Sequence, residues 1–114
     1  MTHFSDWLAL LWGTAIGFLS LAPVATLPTV PVSDKLEHFI AYGLLAMLGC
    51  IARRSKRDRI LVVLAVVIYG GAIEVCQPYF NRHMELGDLI ANAGGAVAGA
   101  MVVFISKAII VESR

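Results

Sequence analysis

Residues 69–92 restrict the fold of this chain more than any other stretch: Tyr-Gly-Gly-Ala-Ile-Glu-Val-Cys-Gln-Pro-Tyr-Phe-Asn-Arg-His-Met-Glu-Leu-Gly-Asp-Leu-Ile-Ala-Asn. An apolar run climbs to Glu74 and Gln77 and breaks at Pro78. The chain crosses a short polar segment holding Arg82, then descends through Asp88 and Asn92 into a second apolar run. Polar side chains at the mouth of two apolar helices cost free energy unless they are put to use.

Lipid is the solvent such a chain requires. The 114 residues are 59% hydrophobic and 15% charged, with a mean hydropathy of +0.80. An ordinary soluble domain is about 45–50% apolar and about 25% charged. One domain over residues 1–114 is expected. A net charge of +1 gives no reason to expect a nucleic-acid partner, whereas the bilayer is a partner demanded by composition.

Four apolar segments divide the chain. The first, residues 7–22, has Trp7 and Trp12 near its start, as interfacial aromatics often lie, and Pro23 after its end. Gly13 and Gly17, spaced i, i+4, permit close helix contact. Residues 1–6 carry no Lys or Arg, and Ala22-Pro-Val-Ala25 is a poor cleavage site, so this segment is expected to stay. Three prolines in residues 23–33 exclude a continuous helix there. Asp34, with Glu37 three residues on, reads as an N-cap and its capping-box partner. The second segment covers residues 35–52, but its uninterrupted apolar part starts only at Phe39. That part is about six residues short of the roughly 20 a span needs, which places the first turns, with Glu37 and His38, at outer-leaflet depth. Asp34, His38 and Tyr42 share one helical face.

The third segment, residues 60–77, opens with a β-branched run and ends at Pro78, with Gly70, Glu74 and Gln77 on one face. The fourth covers residues 85–109. Asp88, Asn92, Gly95 and Gly99 fall within a stripe of roughly 60° at helical periodicity. That stripe predicts an interface helix, whose missing side chains let a neighbouring backbone approach.

Five of the nine Lys/Arg residues lie in Arg53-Arg-Ser-Lys-Arg-Asp-Arg59. A short basic loop between spans is expected on the cytoplasmic side. Both termini are then cytoplasmic, and the turn around Arg82 faces outward from a bacterial-type inner (plasma) membrane. The fold class expected is all-α, an integral-membrane antiparallel four-helix bundle. Cys50 and Cys76 fall at opposite ends of antiparallel helices, too far apart for a disulfide, and read as small packing residues.

This topology gathers Asp34, Lys35, His38, Tyr42, Glu74, Gln77, Arg82, His83, Glu85, Asp88 and Asn92 at one level. The chain here resembles the VanZ-like membrane proteins, a family named for a protein associated with teicoplanin resistance. The matching residues are Asp34-Lys35-x-x-His38-Phe39-x-x-Tyr42-x-x-Leu45, Tyr69-Gly70-x-x-x-Glu74-x-x-Gln77, Arg82, and Leu86-x-Asp88-x-x-x-Asn92-x-x-Gly95. The resemblance implies a multi-span membrane protein and supplies little mechanism. Glu85 stands where the family often has Ser or Thr, and Phe80-Asn81 replaces a Pro-Gly-like turn.

The cluster reads as an outward-facing pocket binding an amphiphile headgroup, that of a lipid, a cell-wall precursor or a glycopeptide-type antibiotic. Its candidate binding residues are Asp34, Lys35, His38, Tyr42, Glu74, Gln77, Arg82, Asp88 and Asn92. Two helix N-termini, Lys35 and Arg82 suit an anionic group. Catalysis is an open alternative, with His38 and Glu74 as acid–base groups acting on a lipid-linked phosphate or ester. An assembly subunit is another, with Arg82 paired to Glu74 or Asp88, His38 bonded to a neighbour and Asn92 bridging helices. Lys35, His83 and Glu85 are also compatible with an ordinary surface. No cofactor is called for. A divalent ion on Asp34, His38, Glu74 and Asp88 is conceivable, but one certain His makes zinc weak, so no metal is assigned.

Overall fold

The computed structural model of the chain describes residues 3–22, 34–80 and 86–112, with side chains for all of these except residues 34, 80, 111 and 112. Among the described residues there are four α-helices and no strand: α1 (Phe4–Leu21), α2 (Asp34–Ile51), α3 (Lys56–Cys76) and α4 (Leu86–Glu112). A 3-10 turn, Gln77–Phe80, continues α3. Pro78 has no N–H to return to the preceding helical turn, so the helix tightens rather than continuing.

Two helix starts differ from the positions expected. α1 begins at Phe4, because His3 and Asp6 close a capping box over its first turn. α3 begins at Lys56, where Ser55 Oγ accepts from the Asp58 N–H at 3.1 Å. The basic residues from Lys56 to Arg59 are therefore the first turn of a helix rather than a loop. Asp58 in that same turn offsets the cost of placing cations near a helix N-terminus.

Cross-helix contacts give the directions. Between α2 and α4 the partners are Lys35 with Asp88, His38 with Asn92, and Lys107 with Ile51. Their separation stays between 53 and 56 residues from one end to the other, so the two helices run parallel. α1 runs antiparallel to α2, through Trp12 with Ala41 and Asp6 with Arg53. α3 runs antiparallel to α4, with Gly70 against Asn92 and Lys56 against Phe104.

α2 and α4 meet backbone to backbone. A Cβ on Gly95 would stand 2.2 Å from the Phe39 carbonyl oxygen, and one on Gly99 would stand 2.1 Å from that of Gly43. No side chain fits either position. The neighbouring backbone that approaches the small-residue stripe of α4 is thus that of α2. Gly13 and Gly17 act differently: their neighbours are side chains, Leu45 and Tyr69 respectively. The Tyr69 hydroxyl donates to the Gly13 carbonyl, fastening α3 to α1.

The core, formed by Ile16, Tyr42, Leu45, Ala46, Val66, Ile73 and Ala96, centres on α2. Large apolar side chains such as Phe18, Ile68 and Ile90 lie on the outside, 74%, 70% and 63% exposed. Apolar surface on this scale suits a lipid surround. Three helical stretches are long and apolar enough to cross a membrane: Phe4–Leu21, Lys56–Tyr79 and Leu86–Ile110. α2, the innermost helix, carries Asp34, Lys35 and Glu37 in its first turn, and its 18 residues rise about 27 Å. Both cysteines are free. Cys50 is buried, but Cys76 is exposed, which corrects the expectation that both are packing residues.

At its C-terminal end α2 is capped by cations from its neighbours. Lys107 Nζ donates to the carbonyls of Ile51 at 2.6 Å and Arg53 at 2.8 Å. Arg59 donates to the Arg53 carbonyl from Nε and Nη2, each at 3.2 Å. Arg53 itself reaches α1, where its Nη2 lies 2.9 and 2.7 Å from the two Asp6 carboxylate oxygens. The last carbonyls of a helix need such partners, and the helix dipole favours cations there.

Candidate functional site

The opposite end, where α2 and α4 begin and α3 ends, holds the polar cluster. Lys35 lies in the first turn of α2, an unfavourable place for a cation unless it is paired. Its Nζ contacts Asp88 Oδ1 at 2.7 Å, from the first turn of α4. One turn deeper, His38 Nδ1 lies 2.9 Å from Asn92 Oδ1. An amide oxygen only accepts, so the ring proton sits on Nδ1. Nε2 then faces Asp88 Oδ2 at 3.8 Å. Asp88 is buried between these two neighbours, its side chain only 10% exposed.

Tyr42 lies one further turn down α2 and stacks on His38, with the ring centroids 6.4 Å apart and the planes 10° from parallel. Gly70 of α3 makes room for this layer. A Cβ there would come within 2.9 Å of the Tyr42 ring and 3.1 Å of Asn92 Nδ2. Glu74, one turn above Gly70, is 1% exposed and interacts electrostatically with Tyr42. Gln77 donates from Nε2 to the Ser20 carbonyl of α1 at 3.1 Å.

Burial has not been matched by bonding throughout. Tyr42 Oη, Gln77 Oε1 and Asn92 Nδ2 are buried with no hydrogen-bond partner among the described residues. Buried polar groups are ordinarily satisfied, and each exception calls for an explanation. His38, Glu74 and Asp88 each offer one potential ligand atom, and the three atoms lie within 4.8 Å of one another. The sequence reading assigned no metal; the folded chain nevertheless gathers three potential donors from three helices.

A protein-family model described as VanZ/LLP1 matches residues 2–107. The chain belongs to the VanZ/LLP1 family. No curated protein and no solved structure matches it. The residues that carry the VanZ-like resemblance now divide by what they touch. Phe39, Tyr69, Gly70 and Gly95 set the helix spacing. Lys35, His38, Tyr42, Glu74, Asp88 and Asn92 form the polar cluster, and Gln77 joins the end of α3 to α1.

Asp34 opens α2, and its expected capping role lies outside the described side chains; Arg82, His83 and Glu85 lie outside the described residues. Lys35, a candidate binding residue, pairs with Asp88 while its own side chain stays 46% exposed. Sequence reasoning missed the bond from Gln77 to Ser20 and the role of Tyr69. Neither had a signal, because both depend on which side of α3 the first helix occupies.

Proposed function

We propose that this VanZ-family membrane protein binds the anionic headgroup of an amphiphile in the mouth formed by α2, α3 and α4. The observation that carries the reading is the set of buried atoms without a hydrogen-bond partner among the described residues, Tyr42 Oη, Gln77 Oε1 and Asn92 Nδ2, at the end of the bundle where His38, Glu74 and Asp88 gather from three helices. An unmet buried polar group costs about 1–3 kcal/mol. Tyr42 and Asn92 both pack against Gly70, and a ligand that met their unmet atoms would remove that cost. Lys35 supplies positive charge at this end, and the parallel α2 and α4 bring two helix N-termini to it.

The five basic residues at the other end favour the cytoplasm for that side, by the positive-inside rule. Both termini lie there with them, and the cluster opens to the outer leaflet. A lipid, a cell-wall precursor and a lipid-bearing glycopeptide antibiotic all present a suitable headgroup. Only the family's name speaks for the antibiotic.

The test is binding of polyprenyl phosphate, phosphatidylglycerol and a teicoplanin-type glycopeptide to purified protein, wild type against Glu74→Gln and Arg82→Ala. The expected result is a loss of about tenfold or more in each variant, equivalent to about 1.4 kcal/mol. Equal, weak binding by all three proteins would sink the reading. A second reading draws on the His38 tautomer set by Asn92, which leaves Nε2 able to accept a proton. There, His38 and Glu74 move protons during hydrolysis of a lipid-linked phosphate or ester. Phosphate or alcohol release by wild type, abolished in His38→Gln, separates this enzyme from a binder.

A further inference from the structure

We propose that His38 Nε2, Glu74 and Asp88 Oδ2 hold one divalent transition-metal ion, with open coordination positions facing the mouth of the bundle. The argument starts from the His38 ring. Asn92 Oδ1 fixes the proton on Nδ1, so neutral His38 presents a lone pair at Nε2. That lone pair faces a carboxylate oxygen 3.8 Å away, a distance too long for a hydrogen bond. Two acceptors held face to face in a buried layer repel unless a proton or a cation lies between them.

The spacing suits a cation. Two donors bound at about 2.1 Å to one ion stand at most about 4.2 Å apart. The 3.8 Å separation falls inside that limit. The three donor atoms of the full triad lie within 4.8 Å of one another. Each donor comes from a different helix, and the glycine seam of α2 and α4 holds two of them in register. Asp88 keeps its other oxygen on Lys35, and His38 keeps its other nitrogen on Asn92. Outer-shell bonds of this kind orient the ligands of metal sites.

An independent observation points into the same layer. Tyr42 Oη is buried beside Glu74, with no hydrogen-bond partner among the described residues. A water or phosphate oxygen on the ion would give it one. One imidazole with two carboxylates suits zinc or manganese. Three protein donors leave positions open, and a phosphate oxygen is the ligand that fills one. This last step rests on the headgroup reading above; the metal site itself does not.

The test measures metal without any amphiphile. Purified protein is stripped with chelator, and Zn²⁺ and Mn²⁺ are titrated separately by calorimetry, with bound metal counted by elemental analysis. Wild type is expected to take up one ion. His38→Gln and Glu74→Gln, which keep side-chain bulk, are expected to lose it. Asn92→Ala, which frees the His38 ring, is expected to bind about tenfold to a hundredfold more weakly. Glu37→Gln, in the first turns of α2 but outside the triad, is expected to bind as wild type does. Melting curves without metal show that each variant folds. Absence of a stoichiometric ion in wild type, or full binding retained in folded His38→Gln and Glu74→Gln, overturns the site. Amphiphile binding is then measured with and without chelator. Metal uptake without amphiphile binding removes only the headgroup reading; amphiphile binding indifferent to chelator removes only its link to the metal.

Discussion

At one end of the α2/α4 pair, Lys107 and Arg59 converge on the carbonyls of Ile51 and Arg53, and Asp6 receives Arg53. At the other end, Tyr42 Oη, Gln77 Oε1 and Asn92 Nδ2 are buried without partners among the described residues. The same two helices run through both places, so the contrast does not come from the fold type. The basic end uses its charges to finish a helix. The cluster end leaves buried polar atoms without partners among the described residues, which the closing of a helix does not require.

Three substitutions break or sharpen that contrast. The largest effect is expected at the seam that joins the ends. Gly99→Val would drive a side chain into the Gly43 carbonyl and part α2 from α4, costing about 3 kcal/mol. Reversible denaturation in mixed micelles checks this, and an unchanged midpoint would show that the helices are not in backbone contact. Next comes Lys107→Met, which strips two carbonyls of a charged donor while keeping the bulk of the side chain. A loss of about 1 kcal/mol is expected in the same assay, since water reaches the Ile51 carbonyl and Arg59 still donates to that of Arg53. The smallest effect, of opposite sign, is expected for Tyr42→Phe. Removing a hydroxyl that has no partner among the described residues leaves stability unchanged or raises it by up to about 1 kcal/mol. A drop comparable to that of Lys107→Met would erase the distinction between the ends.

Much of this arrangement is legible in the sequence, and its limits are physical. Four apolar runs and their proline and basic punctuation predict the helical bundle. Helical periodicity places His38 and Tyr42 on one face, and places Asp88, Asn92, Gly95 and Gly99 on one stripe. Periodicity says which residues share a face but not what the face meets. For that reason Gly13 and Gly17 looked equivalent to Gly95 and Gly99, although one pair faces side chains and the other faces backbone. Lys35 with Asp88 and Lys107 with Ile51 depend on a register of 53 to 56 residues between parallel helices, which no local pattern encodes. The α3 start was hidden for a different reason: charge suggested a loop, and the Ser55 cap overrode it.

The glycine seam also fixes a tolerance. Where side chains separate two helices, their spacing drifts as those side chains are exchanged over generations. Between Gly43, Gly95 and Gly99 there is nothing to exchange, and the gap is set by the thickness of two peptide backbones. The seam works as a gauge block: the distance from His38 to Asp88 is inherited from the dimensions of the polypeptide itself. Substitutions on the outer faces of α2 and α4 leave that spacing unchanged.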